Sequence, residues 1–215
     1  MTKKLWQASL NQKKNSNLFK FENYISKKFN KKFNNDFQKI LDWSIKNSSE
    51  FWSSFWDFTK INGKKNSKNS KKIKKSKVFY KNLFLPGSTL NFANNLLAKN
   101  DKKKVATFIS ENGFREERSW LNLNQNTNKL VQFLKNKKIK QKDRVAAYMP
   151  NTIETVEAFI STTAIGAIWS SCSPDFGVKG VIERFSQINP KILFITDQYY
   201  YNGKQINIID RLPEI

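Results

Sequence analysis

Residues 144–196 have the sequence RVAAYMPNTIETVEAFISTTAIGAIWSSCSPDFGVKGVIERFSQINPKILFIT. Compact apolar runs predict buried strands at 144–149, 167–171 and 191–196. Amphipathic segments, each ended by a Gly or Pro, predict helices at 152–165 and 178–188. Strands joined by helical crossovers are normally parallel, with right-handed connections. The stretch therefore predicts a three-layer α/β core with helices on both faces of a parallel sheet.

Directly upstream, the pattern predicts a β-hairpin followed by a helix. Apolar and β-branched residues at 105–110 and 114–120 flank Asn112-Gly113, a dipeptide typical of tight hairpin turns. Leu123, Leu130, Val131 and Leu134 then recur at helical spacing.

The first sixty residues predict further helices. Two apolar faces follow helical spacing: Leu18, Phe21, Ile25 and Phe29, then Phe37, Leu41 and Ile45. Asn47 lies three residues before Glu50, which predicts a capping box at the next helix start. The aromatic side chains of that helix predict docking onto a neighbouring domain, with nucleobase stacking as the alternative.

Between these parts, residues 62–77 (NGKKNSKNSKKIKKSK) are half lysine. Like-charge repulsion and the lack of apolar residues predict a solvated linker. Weak, salt-dependent binding to a polyanion is the less favoured interpretation.

Composition excludes several kinds of chemistry. The chain has no histidine and one cysteine, Cys172, so it contains neither a Ser-His-Asp triad nor an internal disulfide. No apolar run is long enough for a transmembrane helix, and residues 1–10 lack a signal peptide's apolar stretch, so we expect a cytoplasmic protein. The net charge of +22 comes almost entirely from lysine. A composition bias explains it better than a specific nucleic-acid function, which would favour arginine.

Residues 166–177, GAIWSSCSPDFG, resemble a signature stretch of acetoacetate–CoA ligases, members of the AMP-forming acyl-CoA synthetase superfamily. Trp169 and the segment after Cys172 differ from the corresponding residues of acetyl-CoA synthetases, which are the nearest alternative together with propionyl-CoA synthetases. Other stretches resemble the family in the same order: 41–45, 50–52, 56–58, 84–97, 143–151, 194–197 and 200–204.

The resemblance implies an adenylate-forming N-terminal domain, present in incomplete form and preceded by an α-helical extension. The implied division is 1–61 for the extension, 62–77 for the linker and 78–215 for the first part of the AMP-binding domain. It also implies a ligase of lipid or ketone-body metabolism that joins acetoacetate to CoA. That reaction uses ATP and Mg²⁺ and passes through an acyl-adenylate.

In the family, the Gly-rich phosphate loop and the catalytic lysine lie downstream of the part matched here. We therefore expect no catalytic residue and no ligase activity in these 215 residues, and no tight binding of ATP or CoA. If the gene is split, the remaining portion of the enzyme would be a partner. Two rivals remain: a basic nucleic-acid-binding protein and a decayed gene product.

Four residues occupy positions that resemble CoA-binding positions of relatives. Ser173 and Asp175 match the segment that lines the pantetheine tunnel, and Tyr201 and Lys204 match arginines near the nucleotide end. For Asp175 we prefer a turn or helix-cap role. Lys204 fits a phosphate contact and a solvated surface lysine equally well, and Tyr201 fits stacking on adenine better than a phosphate contact. Cys172 is interpreted as structural.

Overall fold

A computed structural model describes residues 5–66, 73–74 and 76–215 of the chain. The chain divides into two compact units, Met1–Leu90 and Asn91–Ile215. No helix in the described ranges is long and apolar enough to cross a membrane.

The described residues of the first unit form four α-helices: α1 (Leu10–Asn15), α2 (Asn17–Phe29), α3 (Phe37–Lys46) and α4 (Ser48–Phe58). The side chains of Ser9, Ser16 and Asp36 accept backbone N–H bonds at the starts of α1, α2 and α3. These bonds satisfy donors that have no partner within a helix. The predicted capping box at α4 is wrong. The Asn47 amide instead donates to the Trp43 carbonyl at the end of α3, because the two helices adjoin.

The core of this unit is largely aromatic. Its buried members are Phe21, Ile25, Phe33, Ile40 and Trp43, and Phe51 and Phe58 of α4 pack against them. The prediction for α2 holds at Phe21 and Ile25, whereas Leu18 is about half exposed. The face predicted for α3 is wrong, since Phe37 and Ile45 are exposed and the helix buries Ile40 and Trp43.

Part of the predicted linker is ordered. Gly63–Lys64 forms strand β1, which pairs antiparallel with β2 (Thr89–Leu90). The Lys65 ammonium lies 2.6 Å from the Asp57 carboxylate of α4. Residues 63–64 are therefore a strand and not a loop, although both are exposed to solvent. Residues 67–72 and 75 lie outside the described residues. A short 3-10 helix, Phe79–Lys81, follows.

The second unit contains the alternating β/α segment. Its elements are α5 (Phe92–Leu96), β3 (Lys104–Ile109), β4 (Arg115–Ser119), α6 (Trp120–Asn136), β5 (Arg144–Tyr148), α7 (Ile153–Ala164), β6 (Ile168–Cys172), α8 (Val178–Ser186), β7 (Ile192–Ile195), β8 (Gln198–Tyr201), β9 (Lys204–Asn207) and a 3-10 helix, Ile209–Glu214. The predicted hairpin corresponds to β3 and β4, and the three predicted strands correspond to β5, β6 and β7.

Strand β5 lies at the centre of a parallel sheet of order β6-β5-β7. Successive side chains of a strand point to opposite faces. On one face, Ala146 and Tyr148 pack against Val181 and Phe185 of α8. On the other face, Val145 packs against Leu134 of α6. The three-layer α/β core is therefore confirmed.

A partly buried ion network joins the β3–β4 hairpin to α7. The Arg118 guanidinium of β4 contacts the carboxylates of Glu116, Glu154 and Glu157 at 2.5, 3.3 and 3.1 Å. The Glu157 side chain is 5% exposed, and the Asn126 amide of α6 also donates to it at 2.9 Å. Glu157 lies on the buried face of α7, whereas its neighbour Val156 is 38% exposed.

Replacing Leu134 with alanine tests the packing of α6 on the sheet. Leu134 is fully buried against Ile139, Val145 and Ala167. Such truncations leave a cavity, so we expect L134A to lower the free energy of unfolding by about 2–5 kcal/mol in urea, followed by circular dichroism. The exposed neighbour Gln132 provides the control, and Q132A should change it by less than about 0.5 kcal/mol. A loss below about 1 kcal/mol for L134A would contradict this packing.

Candidate functional site

The carboxyl ends of parallel strands are where α/β sheets usually bind ligands. The loop after β5 leads to α7 and the loop after β6 leads to α8, on opposite faces of the sheet. A crevice of about 250 Å³ lies between the two loops. Pro150, Asn151, Cys172 and Ser173 are among the residues that line it.

A larger groove, of about 570 Å³, lies between the β3–β4 hairpin and β8. Its lining combines polar side chains, such as those of Ser110, Asn151 and Thr196, with aromatic ones, such as those of Tyr199 and Tyr200. At the rim, the Gly203 backbone N–H donates to the Glu111 carboxylate at 3.0 Å. This bond joins the tip of the β8–β9 hairpin to the tip of the β3–β4 hairpin.

The loop after β6 carries the first two predicted site residues, Ser173 and Asp175. The Ser173 hydroxyl donates to Asp175 Oδ2 at 2.6 Å and accepts the Asp175 backbone N–H at 3.3 Å. Asp175 therefore lies in a turn. It does not cap α8, because Gly177 occupies the cap position without a side-chain bond.

Tyr199 connects this loop to the β8–β9 hairpin, which carries the other two predicted residues. Its hydroxyl donates to Asp175 Oδ1 at 2.7 Å. Tyr201 lies two residues further along the same strand and therefore on the same face as Tyr199. Lys204 is the cross-strand partner of Tyr201, so its side chain shares that face. Asn202 and Gly203 make the tight turn with φ of 52° and 70°.

Tyr199, which the sequence analysis missed, thus links the loop of Ser173 and Asp175 to the hairpin that carries Tyr201 and Lys204. Two more were missed. The fully buried Tyr148 and the partly buried Arg211 both hydrogen-bond the backbone of the Ser173–Asp175 loop. Tyr148 ends a buried strand, and this position was the one sequence signal for it.

Hydrogen bonding and burial shift three pKa values here. The bonds from Ser173 and Tyr199 hold the pKa of the Asp175 carboxyl below its ordinary value. Burial, together with the hydrogen bond to Asp175, raises the pKa of Tyr199 to about 12. Burial raises the pKa of the Cys172 thiol, so the thiol stays protonated. This agrees with a structural role for Cys172. Trp169 also serves packing, with its ring next to those of Phe159 and Phe194.

The face formed by Tyr199, Tyr201 and Lys204 suits part of one nucleotide-containing ligand. Tyr201 is 56% exposed and offers a ring surface, and Lys204 offers a cation beside it. An aromatic ring can stack on a purine base, and an ammonium group can pair with a phosphate. Among the described residues, no group of three or more His, Cys, Asp or Glu side chains is placed to hold a metal ion.

Comparison with known proteins identifies the family. The family model described as AMP-binding enzyme matches residues 96–214, just over half of the chain. The chain belongs to the AMP-binding enzyme family.

Several relatives of this AMP-binding enzyme chain are named acetoacetyl-CoA synthetase. The chain is 34% identical over 211 residues to acetoacetyl-coenzyme A synthetase of Rhizobium meliloti, covering 98% of this chain and 32% of that protein. It is 35% identical over 182 residues to acetoacetyl-CoA synthetase of Gallus gallus, covering 84% and 27%. The solved acetoacetyl-CoA synthetase from Streptomyces lividans has the same fold, with a TM-score of 0.88 at 24% identity over 99% of this chain and 33% of that one. The chain thus spans about a third of the length of these relatives.

Replacing Asp175 with asparagine tests whether the hydrogen bonds to its carboxylate stabilise the folded chain. A carboxyl whose pKa is lowered by folding stabilises the folded state above its ordinary pKa of 3.8, and this contribution is lost as the pH falls below it. We expect D175N to unfold at lower urea concentration than the unsubstituted chain at pH 7, with a gap that closes in acid. Asp210 is exposed, and D210N should show no such gap. A gap for D175N that is constant with pH would contradict the assignment.

Proposed function

We propose that this chain forms the first part of an acetoacetate–CoA ligase. The reaction joins acetoacetate to CoA with ATP, gives AMP, pyrophosphate and acetoacetyl-CoA, and passes through an acyl-adenylate. Two features support the proposal: membership of the AMP-binding enzyme family and similarity to acetoacetyl-CoA synthetases over 84–98% of the chain. Acetyl- and propionyl-CoA synthetases are the alternative ligases.

The hydrogen bond from Tyr199 to Asp175 is the structural observation that carries the part of the proposal about CoA binding. It brings the loop that carries Ser173 next to the hairpin face that carries Tyr201 and Lys204. We propose that this combined surface binds CoA. The Lys204 ammonium would pair with a phosphate, the Tyr201 ring would stack on adenine, and the Ser173–Asp175 loop would line the path of the pantetheine.

The groups that handle ATP belong to a different part of the proposed enzyme. We propose that residues 1–61 are a helical extension, 62–77 a linker and 78–215 the first part of the AMP-binding domain. The phosphate loop, the Mg²⁺ ligands and the catalytic lysine would lie outside these ranges. Bound Mg²⁺ would neutralise charge on the phosphates of ATP. We further propose a cytoplasmic location and, if the gene is split, association with the remaining portion of the enzyme.

Substrate-dependent release of pyrophosphate tests the activity. The protein to assay includes any segment that follows residue 215 in the gene product, and acetoacetate, acetate and propionate are compared with ATP and CoA present. We expect the highest kcat/KM with acetoacetate. The 215-residue chain alone should form no acetoacetyl-CoA, because it lacks the ATP-binding loop. A preference for acetate, or ligase activity of the chain alone, would contradict this.

Lys204 provides a test of the CoA surface in the same enzyme. An exposed pairing with phosphate contributes about 1 kcal/mol, so K204Q should raise the KM for CoA about fivefold and leave kcat unchanged. The same variant should use 3′-dephospho-CoA as well as the unsubstituted enzyme does if the contact is with the 3′-phosphate. Lys135 is exposed on α6, and K135Q is the matched control. An unchanged KM for CoA in K204Q would exclude this role.

A further inference from the structure

Arg211 lies on the 3-10 helix Ile209–Glu214, which is anchored next to the sheet. Ile208, immediately before this helix, is fully buried and belongs to the same core cluster as Ala146 and Val181. The Ile208 backbone N–H also donates to the Asp197 carbonyl at 2.8 Å. The arginine is therefore presented from a fixed backbone.

One nitrogen of Arg211 reaches both sides of Asp175. Its Nη1 lies 3.0 Å from the Pro174 carbonyl oxygen and 3.4 Å from the Phe176 carbonyl oxygen. It also donates to the Tyr148 hydroxyl at 2.8 Å. Hydrogen bonds from a charged donor are stronger than those between neutral groups.

The Tyr148 hydroxyl is directed at the same two carbonyls. It lies 3.0 Å from the Pro174 oxygen and 2.6 Å from the Phe176 oxygen. Tyr148 has no exposed surface, and Pro174 is also fully buried. Two side chains that are distant in sequence, from β5 and from the 3-10 helix Ile209–Glu214, therefore converge on the backbone of the loop that carries Ser173 and Asp175.

We propose that Arg211 is a positioning residue that sets the conformation of this loop and thereby the presentation of Ser173 and Asp175 to CoA. The part that concerns CoA rests on the function proposed above. Arg211 acts through the two carbonyls and through Tyr148, and it does not itself touch the surface assigned to CoA. Without it, both carbonyls keep only the single hydroxyl donor of Tyr148, which cannot fully satisfy two acceptors.

Amide hydrogen exchange of the whole chain tests the positioning role. The Asp175 and Phe176 amides donate to the hydroxyl and the carbonyl of Ser173. We expect R211M to speed exchange of these two amides about tenfold and to leave the β5 amides unchanged. R211K should restore part of the protection, because it keeps a cationic donor. Arg184 is the matched control, because its guanidinium lies 4.0 Å from the Phe176 ring centroid and contacts the Gly180 carbonyl rather than the loop carbonyls. R184M should leave the amides of residues 175 and 176 protected.

Y148F gives an independent variant that keeps the packing of the buried ring. If both side chains hold the same carbonyls, the effects of R211M and Y148F on loop exchange will not be additive in the double variant. Unchanged loop exchange in R211M, or an equal rise in the β5 amides, would overturn the proposal, since the latter indicates only a loss of overall stability.

The proposed effect of Arg211 on CoA binding is measured separately, in the protein that includes any segment after residue 215. R211M should raise the KM for CoA about tenfold and leave acetoacetate-dependent exchange of pyrophosphate into ATP unchanged. If R211M loosens the loop without raising this KM, the link to CoA is wrong. If the unsubstituted protein uses no CoA while R211M still loosens the loop, the proposed function fails and the positioning role stands.

Discussion

The Tyr148 hydroxyl is a polar group at the end of a strand that is buried on both faces. A buried phenol needs a hydrogen-bond partner, and the partners of Tyr148 are the backbone carbonyls of Pro174 and Phe176 and the guanidinium of Arg211. This requirement connects the core of the sheet to the loop after β6. That loop in turn binds the β8–β9 hairpin through Tyr199. The geometry of the candidate site therefore depends on the hydrogen bonds made by one core side chain, Tyr148.

A second buried polar group positions the β3–β4 hairpin, which forms one wall of the larger groove. The Glu157 carboxylate is almost fully buried on α7, where an unpaired charge would strongly destabilise the fold. Arg118 of β4 and Asn126 of α6 supply its partners. The β3–β4 hairpin is therefore held against α7, and its tip lies where Glu111 accepts the Gly203 N–H. Both walls of the groove are thus positioned by buried polar groups rather than by apolar contacts alone.

The central layers of the second unit follow from periodicity because each element there has a strong apolar pattern. β5 is a mostly apolar run, and α7 begins at Ile153, directly after Thr152, whose hydroxyl caps the helix by accepting the Thr155 N–H. Which face of α3 is buried could not be predicted in the same way. Phe37 and Ile45 have the right spacing, but the aromatic cluster of α2 and α4 lies on the side of Trp43.

The site was predictable only in part, because its contacts are long-range. Ser173, Asp175, Tyr201 and Lys204 were found through a family resemblance and not through a local pattern. Tyr199 bonds Asp175 across 24 residues, and Arg211 reaches Pro174 across 37. The residues next to Tyr199 and Arg211 in the sequence do not indicate these partners. Each pair comes into contact only after the parallel sheet and the β8–β9 hairpin have formed.

Among the described residues, the excess of positive charge lies mainly on exposed lysines, because few carboxylates are available to pair with them. Asp57, Asp143 and Glu117 are each paired with lysine or arginine, and the remaining lysines are mainly exposed. Sequence-independent binding to single-stranded nucleic acid would also need free aromatic surfaces. Phe21, Phe51 and Phe58 instead pack against one another in the first unit. Of the α4 rings that suggested a nucleic-acid role in the sequence, Phe51 and Phe58 therefore help to form a core, whereas Trp52 and Phe55 are 40% and 37% exposed.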